Sequence, residues 1–306
     1  MEKSYQLVII GGGPAGLSAG IYAARSKLHT LLIEKAGLGG QILNAEMVEN
    51  YPGFPQGVSG AELGTLMAQQ AEKYSLPVAI DEVQGITIQG KDKIVSTAEG
   101  KYRAKAVIVA GGSEYSKLGV PGEEELRGRG VSYCAMCDGA FFRDEVVAVV
   151  GGGNVALNDA LFLTRFASRV IVIHRRDQLR ATKILQDRAL AQPKIEFCWD
   201  TVVDSIRGDN QVRELGLRNV KTGVESRLGV SGVFVAVGLR PNTGYLKEML
   251  KLDEGGFVQV NSQMETELAG IFAAGDIRAG SIQQVVSAAG DGATAAIVAE
   301  RFISST

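Results

Sequence analysis

The sequence predicts an α/β protein made of two similar units, each a parallel sheet flanked by helices, with one unit inserted into the other. Three observations carry that reading. A glycine loop of the form G-x-G-x-x-G/A occurs twice, each time between an apolar β run and a helix-like segment. The loops begin 140 positions apart, at Gly11 and Gly151, and the strand after each ends 18 positions beyond the loop's third small residue, at Glu34 and His174. A run of short alternating segments, a β-meander, then follows each copy.

The first element, "LVIIGGGPAG", leads a buried-strand pattern into Gly11, Gly13 and Gly16, with Pro14 and Ala15 completing the loop. In such a loop the first glycine permits the turn and the second lets backbone N–H groups approach a pyrophosphate. The third allows helix and strand to pack, and the helix N-terminus favours the phosphate charge. The next strand, "TLLIE", ends in Glu34, whose carboxylate can accept hydrogen bonds from both ribose hydroxyls. That suits an unphosphorylated adenosine such as that of FAD.

The second element, "VAVVGGGNVA", supplies Gly151, Gly153 and Ala156, with Asn154 and Val155 between them. Its strand "RVIVIH" runs into "HRRDQLR", which sets Arg175, Arg176 and Arg180 after His174, where the first copy has its carboxylate. A carboxylate there would repel a 2′-phosphate, whereas guanidinium groups grip it bidentately. The expected ligand is NADPH. Asp177 reads as a helix N-cap, which would place Arg176 and Arg180 on one helical face or its approach. Two Rossmann-like dinucleotide domains follow.

Residues 113–125 and 238–244 carry Pro, Gly and polar residues at the two edges of the second copy. The tail after 244 is too short for a domain and holds "GIFAAGD", a strand ending at Gly275 and Asp276, then a helix-like segment. The expected organisation is therefore an FAD domain from 1–113 and 245–306, interrupted by an NADPH domain over 114–244. Paired linkers of this kind allow rigid-body motion.

Composition sets the bounds. The chain has 306 residues, 45% hydrophobic and 22% charged, with a formal net charge of −2, so no strong field draws it to nucleic acid or an anionic membrane. No uncharged apolar run reaches the roughly 18 residues of a membrane helix. A strand begins almost at the first residue with no basic leader ahead of it, and the expected location is cytoplasmic.

Cys134 and Cys137 lie in "SYCAMCDGAFF", just ahead of the second glycine loop. Zinc would need two further ligands. Cys198, His29 and His174 each sit in, before or at the end of a strand, and there is no second C-x-x-C, so no metal site is expected. A redox disulfide is geometrically easy at this spacing, and such pairs often have a lowered thiol pKa. With FAD and NADPH it would complete an electron line from hydride to flavin, to disulfide, to a partner. Asp138, directly after Cys137, offers an acid/base for the thiol proton, although taken alone a turn or helix-capping role is the more natural one for it.

In order along the whole chain, "GGGPAGLSAGIYAAR", "GGQI", "VENYPGFP", "GVSYCAMCDGAFF", "HRRDQLRA" and "AAGD…SAAGDGATAA" resemble the low-molecular-weight thioredoxin reductase family of bacteria. The resemblance implies an FAD domain interrupted by an NADPH domain, a homodimer, and oxidised thioredoxin as substrate. It implies that Cys137 lies nearer the flavin, that Cys134 attacks thioredoxin's disulfide, and that Asp138 is the acid/base. Gly39, Gly40, Gln41 and Asn50 would lie along the FAD, Asp276 at its ribityl–phosphate region, and Gln284 beside it. Phe141 and Phe142 would touch thioredoxin, core packing being their alternative. A rotation of the NADPH domain between half-reactions is also implied.

The chain departs from the family pattern at Val155, where Ser or Thr is usual, at Asn158 beside Asp159, in "AGG" at 110–112, and at Gln283. None of these removes a reacting group. Rival readings are a ferredoxin-dependent reductase, a peroxiredoxin-reducing flavoprotein, a flavin dithiol oxidase and a non-enzymatic redox sensor. The retained arginine cluster argues against the first and third, the lack of an extra redox domain against the second, and the intact cysteines with Asp138 against the last.

Overall fold

The computed structural model describes residues 3–45, 47–246 and 248–305. The chain divides into two compact units, Met1–Glu114 with Arg240–Thr306, and Tyr115–Leu239.

In the first unit β1 (Lys3–Ile10) feeds α1 (Pro14–Arg25), and β2 (Thr30–Glu34), α2 (Gly60–Lys73) and β3 (Val78–Ile80) follow. A meander of β4 (Val83–Gln89), β5 (Asp92–Thr97) and β6 (Lys101–Val109) returns the chain to the sheet. Alternation explains why the second half of β1, Leu7–Ile10, is apolar on both faces. Leu7 and Ile9 pack with the helices on one face, while Val8 and Ile10 pack under the meander on the other.

The chain then passes through β7 (Ser113–Tyr115) into β8 (Val131–Ser132), α3 (Ala135–Asp138), β9 (Val146–Val150) and α4 (Asn154–Leu163). Next come β10 (Arg169–Ile173), α5 (Lys183–Leu190) and β11 (Ile195–Cys198), then the antiparallel sheet of β12 (Thr201–Arg207), β13 (Glu214–Asn219) and β14 (Glu225–Gly229). The last strand of this unit is β15 (Gly232–Val235). Val147 and Val149 meet α4, and Ala148 and Val150 meet the antiparallel sheet, repeating the two-faced burial of β1.

The chain leaves through β16 (Leu239–Pro241), which pairs with β7. It closes the first unit with β17 (Ile271–Ala273) and the long helix α6 (Val285–Ser305). Residues 240–244, expected in the inserted part, group with the first unit. Asn242 is the reason, since its Nδ2 and backbone N donate to the carbonyls of Gly111 and Gly112 at 2.8 and 3.1 Å.

The parallel strand order is β3-β2-β1-β6-β17 in the first unit and β11-β10-β9-β15-β8 in the second. The two sheets match position for position, yet their equivalent edge strands come from opposite ends of the local sequence. β17 arrives last in its unit, and β8 precedes the phosphate-loop strand of its own.

Candidate active site

Each glycine loop leaves the carboxyl end of the central strand of its sheet, where parallel α/β sheets place ligands. Gly11 has φ +106°, and a Cβ on Gly16 would lie 1.8 Å from the Gly11 carbonyl oxygen. That approach requires glycine. In the second loop Ala156 takes the corresponding position, and its Cβ lies 2.8 Å from where a Cβ on Gly151 would stand. Neither α1 nor α4 has a side-chain cap or an acidic residue in its first turn, whereas α2 is capped by Ser59 Oγ accepting from Glu62 N. The first amides of α1 and α4 are thus left to donate to an anion.

At the end of β2, Glu34 accepts from Gly12 N at 2.6 Å and from Ala36 N at 3.0 Å, so its carboxylate is held against the loop. Gly39 and Gly40 start a short 3-10 turn that holds Gln41 and is tied to the loop by Gly39 N donating to Gly12 O. Asn50 Nδ2 donates to Gln284 Oε1 at 3.0 Å. Gly275 and Asp276 form a 3-10 turn directly after β17, and burial pushes the Asp276 carboxyl above its ordinary range. This donor set fits FAD: open amides for a pyrophosphate, a carboxylate for ribose, and a polar rim along one sheet edge.

Two residues outside the sequence motifs, Arg278 and Asp291, hold this turn. Asp291 on α6 accepts from Arg278 Nε at 2.6 Å, from Arg278 Nη2 at 3.0 Å, and from Gly275 N at 3.1 Å. The signal was present as a lone carboxylate inside the small, apolar run "VVSAAGDGATAA". Close by, Gly292 lets α6 meet α1, since a Cβ there would lie 2.0 Å from Ala15 O.

In the second unit the segment 175–182 is not helical, and α5 starts only at Lys183. Asp177 is therefore not an N-cap. Its carboxylate is drawn instead to Lys221 Nζ at 2.7 Å. The arginine segment is bound to the second glycine loop, with Arg180 N donating to Gly152 O at 2.7 Å and Thr182 N to Asn154 Oδ1 at 2.8 Å. His174 is buried beneath that loop, where a Cβ on Gly152 would lie 2.4 Å from its ring. Burial holds its pKa below the ordinary value, so the ring is neutral and its Nε2–H donates to the Gln178 carbonyl at 3.0 Å. Arg175, Arg176 and Arg180 line a hollow of about 340 Å³ together with Asp177, Asp200 and Lys221. Val155 is exposed at the loop.

Cys134 and Cys137 form a disulfide with their Cα atoms 5.3 Å apart, across the single turn of α3 that follows β8. Cys134 N donates to Ser132 Oγ at 3.1 Å, and Ser132 Oγ donates to Asp138 Oδ2 at 2.6 Å. Cys134 is half-buried and Cys137 exposed, so the cysteine expected to face a flavin is here the more open of the two. One residue earlier, Tyr133 OH donates to the buried Glu123 at 2.8 Å and its ring stacks on Tyr115. Phe141 is half exposed, but Phe142 packs edge-on against Phe234 in the core. Bridged sulfurs are not thiolate ligands, and among the described residues no cluster of His, Cys, Asp or Glu suits a metal. No described helix is long and apolar enough to cross a membrane.

A family model described as pyridine nucleotide-disulphide oxidoreductase matches residues 5–292. The chain is similar to the thioredoxin reductase of Bacillus subtilis, 46% identical over 99% of this chain and 96% of the relative. It is equally similar to that of Streptomyces coelicolor, 46% identical over 99% and 95%. Its structure is similar to that of thioredoxin reductase from Streptococcus pyogenes, with a TM-score of 0.96 and 46% identity over the full length of both chains. For the thioredoxin reductase of Giardia duodenalis the TM-score is 0.94 and the identity 34%, over 99% and 100%.

Proposed function

Because the chain belongs to the pyridine nucleotide-disulphide oxidoreductase family, we propose which of its residues carry the reduction of thioredoxin's disulfide. It is an oxidoreductase that uses FAD and NADPH. Held at the first glycine loop, FAD would supply the two-electron chemistry that links NADPH to the Cys134–Cys137 disulfide.

The observation that carries the reading is the Cys134–Cys137 disulfide on a one-turn helix with Ser132 and Asp138 beneath it. Reduction of this bond leaves two thiols that need one proton acceptor, and Asp138, aligned by Ser132, is placed to serve. Cys134, at the N-terminal end of α3, receives the Cys137 N–H at its sulfur, an arrangement that favours its thiolate. The Cys134 thiolate attacks thioredoxin's disulfide, forming a mixed disulfide as the S–S bond breaks, and the thiolate expelled from thioredoxin takes the proton that Asp138 received. Cys137 then attacks the Cys134 sulfur, which releases the dithiol form of thioredoxin and restores the enzyme's disulfide.

We assign FAD to the first glycine loop with Glu34, Gly39, Gly40, Gln41, Asn50, Asp276 and Gln284. NADPH goes to the second loop with Arg175, Arg176 and Arg180. Phe141, exposed close to Cys137, is the candidate thioredoxin contact. Resemblance supports a homodimer. A cytoplasmic location fits a chain whose three cysteines make no structural disulfide framework.

The test is anaerobic. NADPH should bleach the flavin absorption band, and oxidised thioredoxin should restore it. No bleaching by NADPH would point to a different electron donor, and bleaching without recovery to a different disulfide substrate. Cys137→Ser should still bleach but deliver no dithiol.

A further inference from the structure

The arginine-lined hollow contains an ion cluster that the sequence motif does not include. Lys221 sits on the turn between β13 and β14, and Asn219 Oδ1 fixes that turn by accepting from the N–H groups of Lys221 and Thr222 at 3.0 Å each. Its ammonium bridges Asp177 Oδ2 at 2.7 Å and Asp200 Oδ2 at 3.1 Å. Asp200 is itself unusual, with a left-handed backbone at φ +52°. It is locked there between two segments, its carbonyl accepting from Val220 N at 2.6 Å while its own N donates to Arg176 O at 3.4 Å.

These contacts decide the electrostatics of the hollow. Two carboxylates stand on the same wall as Arg175, Arg176 and Arg180. Left to themselves they would pair with those guanidinium groups and repel an incoming phosphate. Lys221 occupies both, and among the described residues no ion pair engages the three arginines. Three guanidinium groups and one ammonium against two carboxylates leave a net charge of +2, which matches a phosphomonoester of about −2.

We propose that Lys221 is a specificity-determining positioning residue: by clamping Asp177 and Asp200 it keeps Arg175, Arg176 and Arg180 available for the 2′-phosphate of the dinucleotide. The inference rests on the assignment of NADPH to this unit. It adds a residue whose partner Asp177 lies 44 positions away in sequence.

The experiment uses the FAD-loaded protein and calorimetric titration with adenosine 2′,5′-bisphosphate and with 5′-AMP, two probes that share the adenosine and differ in the 2′-phosphate. Wild type should prefer the bisphosphate. Lys221→Met should lower that preference by roughly tenfold, with 5′-AMP binding unchanged, as expected when two nearby negative charges lose their counter-ion. Adding Asp177→Asn and Asp200→Asn to Lys221→Met should restore most of it, and Lys221→Arg should retain it. An unchanged preference in Lys221→Met overturns the clamp, and so does equal weakening for both probes, which would mark a structural role. Failure of the two Asn substitutions to restore binding would show that Lys221 grips the phosphate itself. If wild type shows no preference, the NADPH assignment falls and the clamp falls with it.

Discussion

Removing Asp291 isolates what its carboxylate does for the turn that carries Asp276. Asp291→Ala deletes the acceptor for Arg278 Nε, Arg278 Nη2 and Gly275 N, all within 3.1 Å, in a pair whose side chains are 15% and 10% exposed. The guanidinium is then left nearly buried without its counter-charge, and breaking such a pair from one side costs about 3–5 kcal/mol. For a unit of this size that corresponds to a fall in melting temperature of roughly 6–20 °C. The same substitution frees the Gly275–Ile277 turn, so FAD should dissociate more readily. Thermal unfolding followed by circular dichroism reads the first effect, and the rise in free-flavin fluorescence reads the second. Arg278→Met combined with Asp291→Ala removes both charges and should recover most of the lost stability. A double variant as unstable as Asp291→Ala alone would refute the reasoning, because the cost would then lie in packing rather than in an orphaned charge.

Three further outcomes follow from side chains in the inserted unit. The Asp159 carboxyl is raised by burial to about 7, so the native state holds a proton that the unfolded chain releases near its ordinary value. Stability should fall as pH rises from about 4 to 7 and level off above, and Asp159→Asn should abolish that slope and gain about 1–3 kcal/mol at pH 8. Denaturant titrations across that range check it, and an unchanged slope in the variant would refute the assignment. Phe141→Ala should leave the melting temperature nearly unchanged and raise KM for thioredoxin. Phe142→Ala should instead cost about 2–4 kcal/mol by opening the contact with Phe234, with little effect on KM in protein that remains folded.

Much of the fold was legible because its signals are local. The strand–loop–helix units follow from steric needs that adjacent residues reveal, such as Gly11 turning and Gly16 lacking a Cβ. Glu34 and the arginines were legible because strand ends fix where such side chains lie. What stayed hidden depends on distant partners. Asp177 reads as a cap in its own neighbourhood, but Lys221 on a hairpin turn claims it. Asp291 and Arg278 lie 13 positions apart, across a turn whose shape no local pattern fixes. β8 has only two residues, too few for periodicity to mark, although it places the cysteine pair at a sheet edge. Phe141 and Phe142 are identical neighbours in sequence, and distant residues tell them apart, since Phe142 packs against Phe234 and under Gly232.

The interrupted connectivity also imposes a timetable on the ribosome. Every strand of the inserted unit has been made once Leu239 has emerged, so its sheet can close while synthesis continues. The other unit must wait, because β17 completes its sheet and α6 seats Gly292 against Ala15 only after some 50 more residues have been added. Until then β6 presents Val107–Val109 as an open apolar edge, which leaves the nascent chain most exposed to aggregation in that interval. A flavin site that draws on Asp276 is therefore complete only after the whole inserted unit has been made.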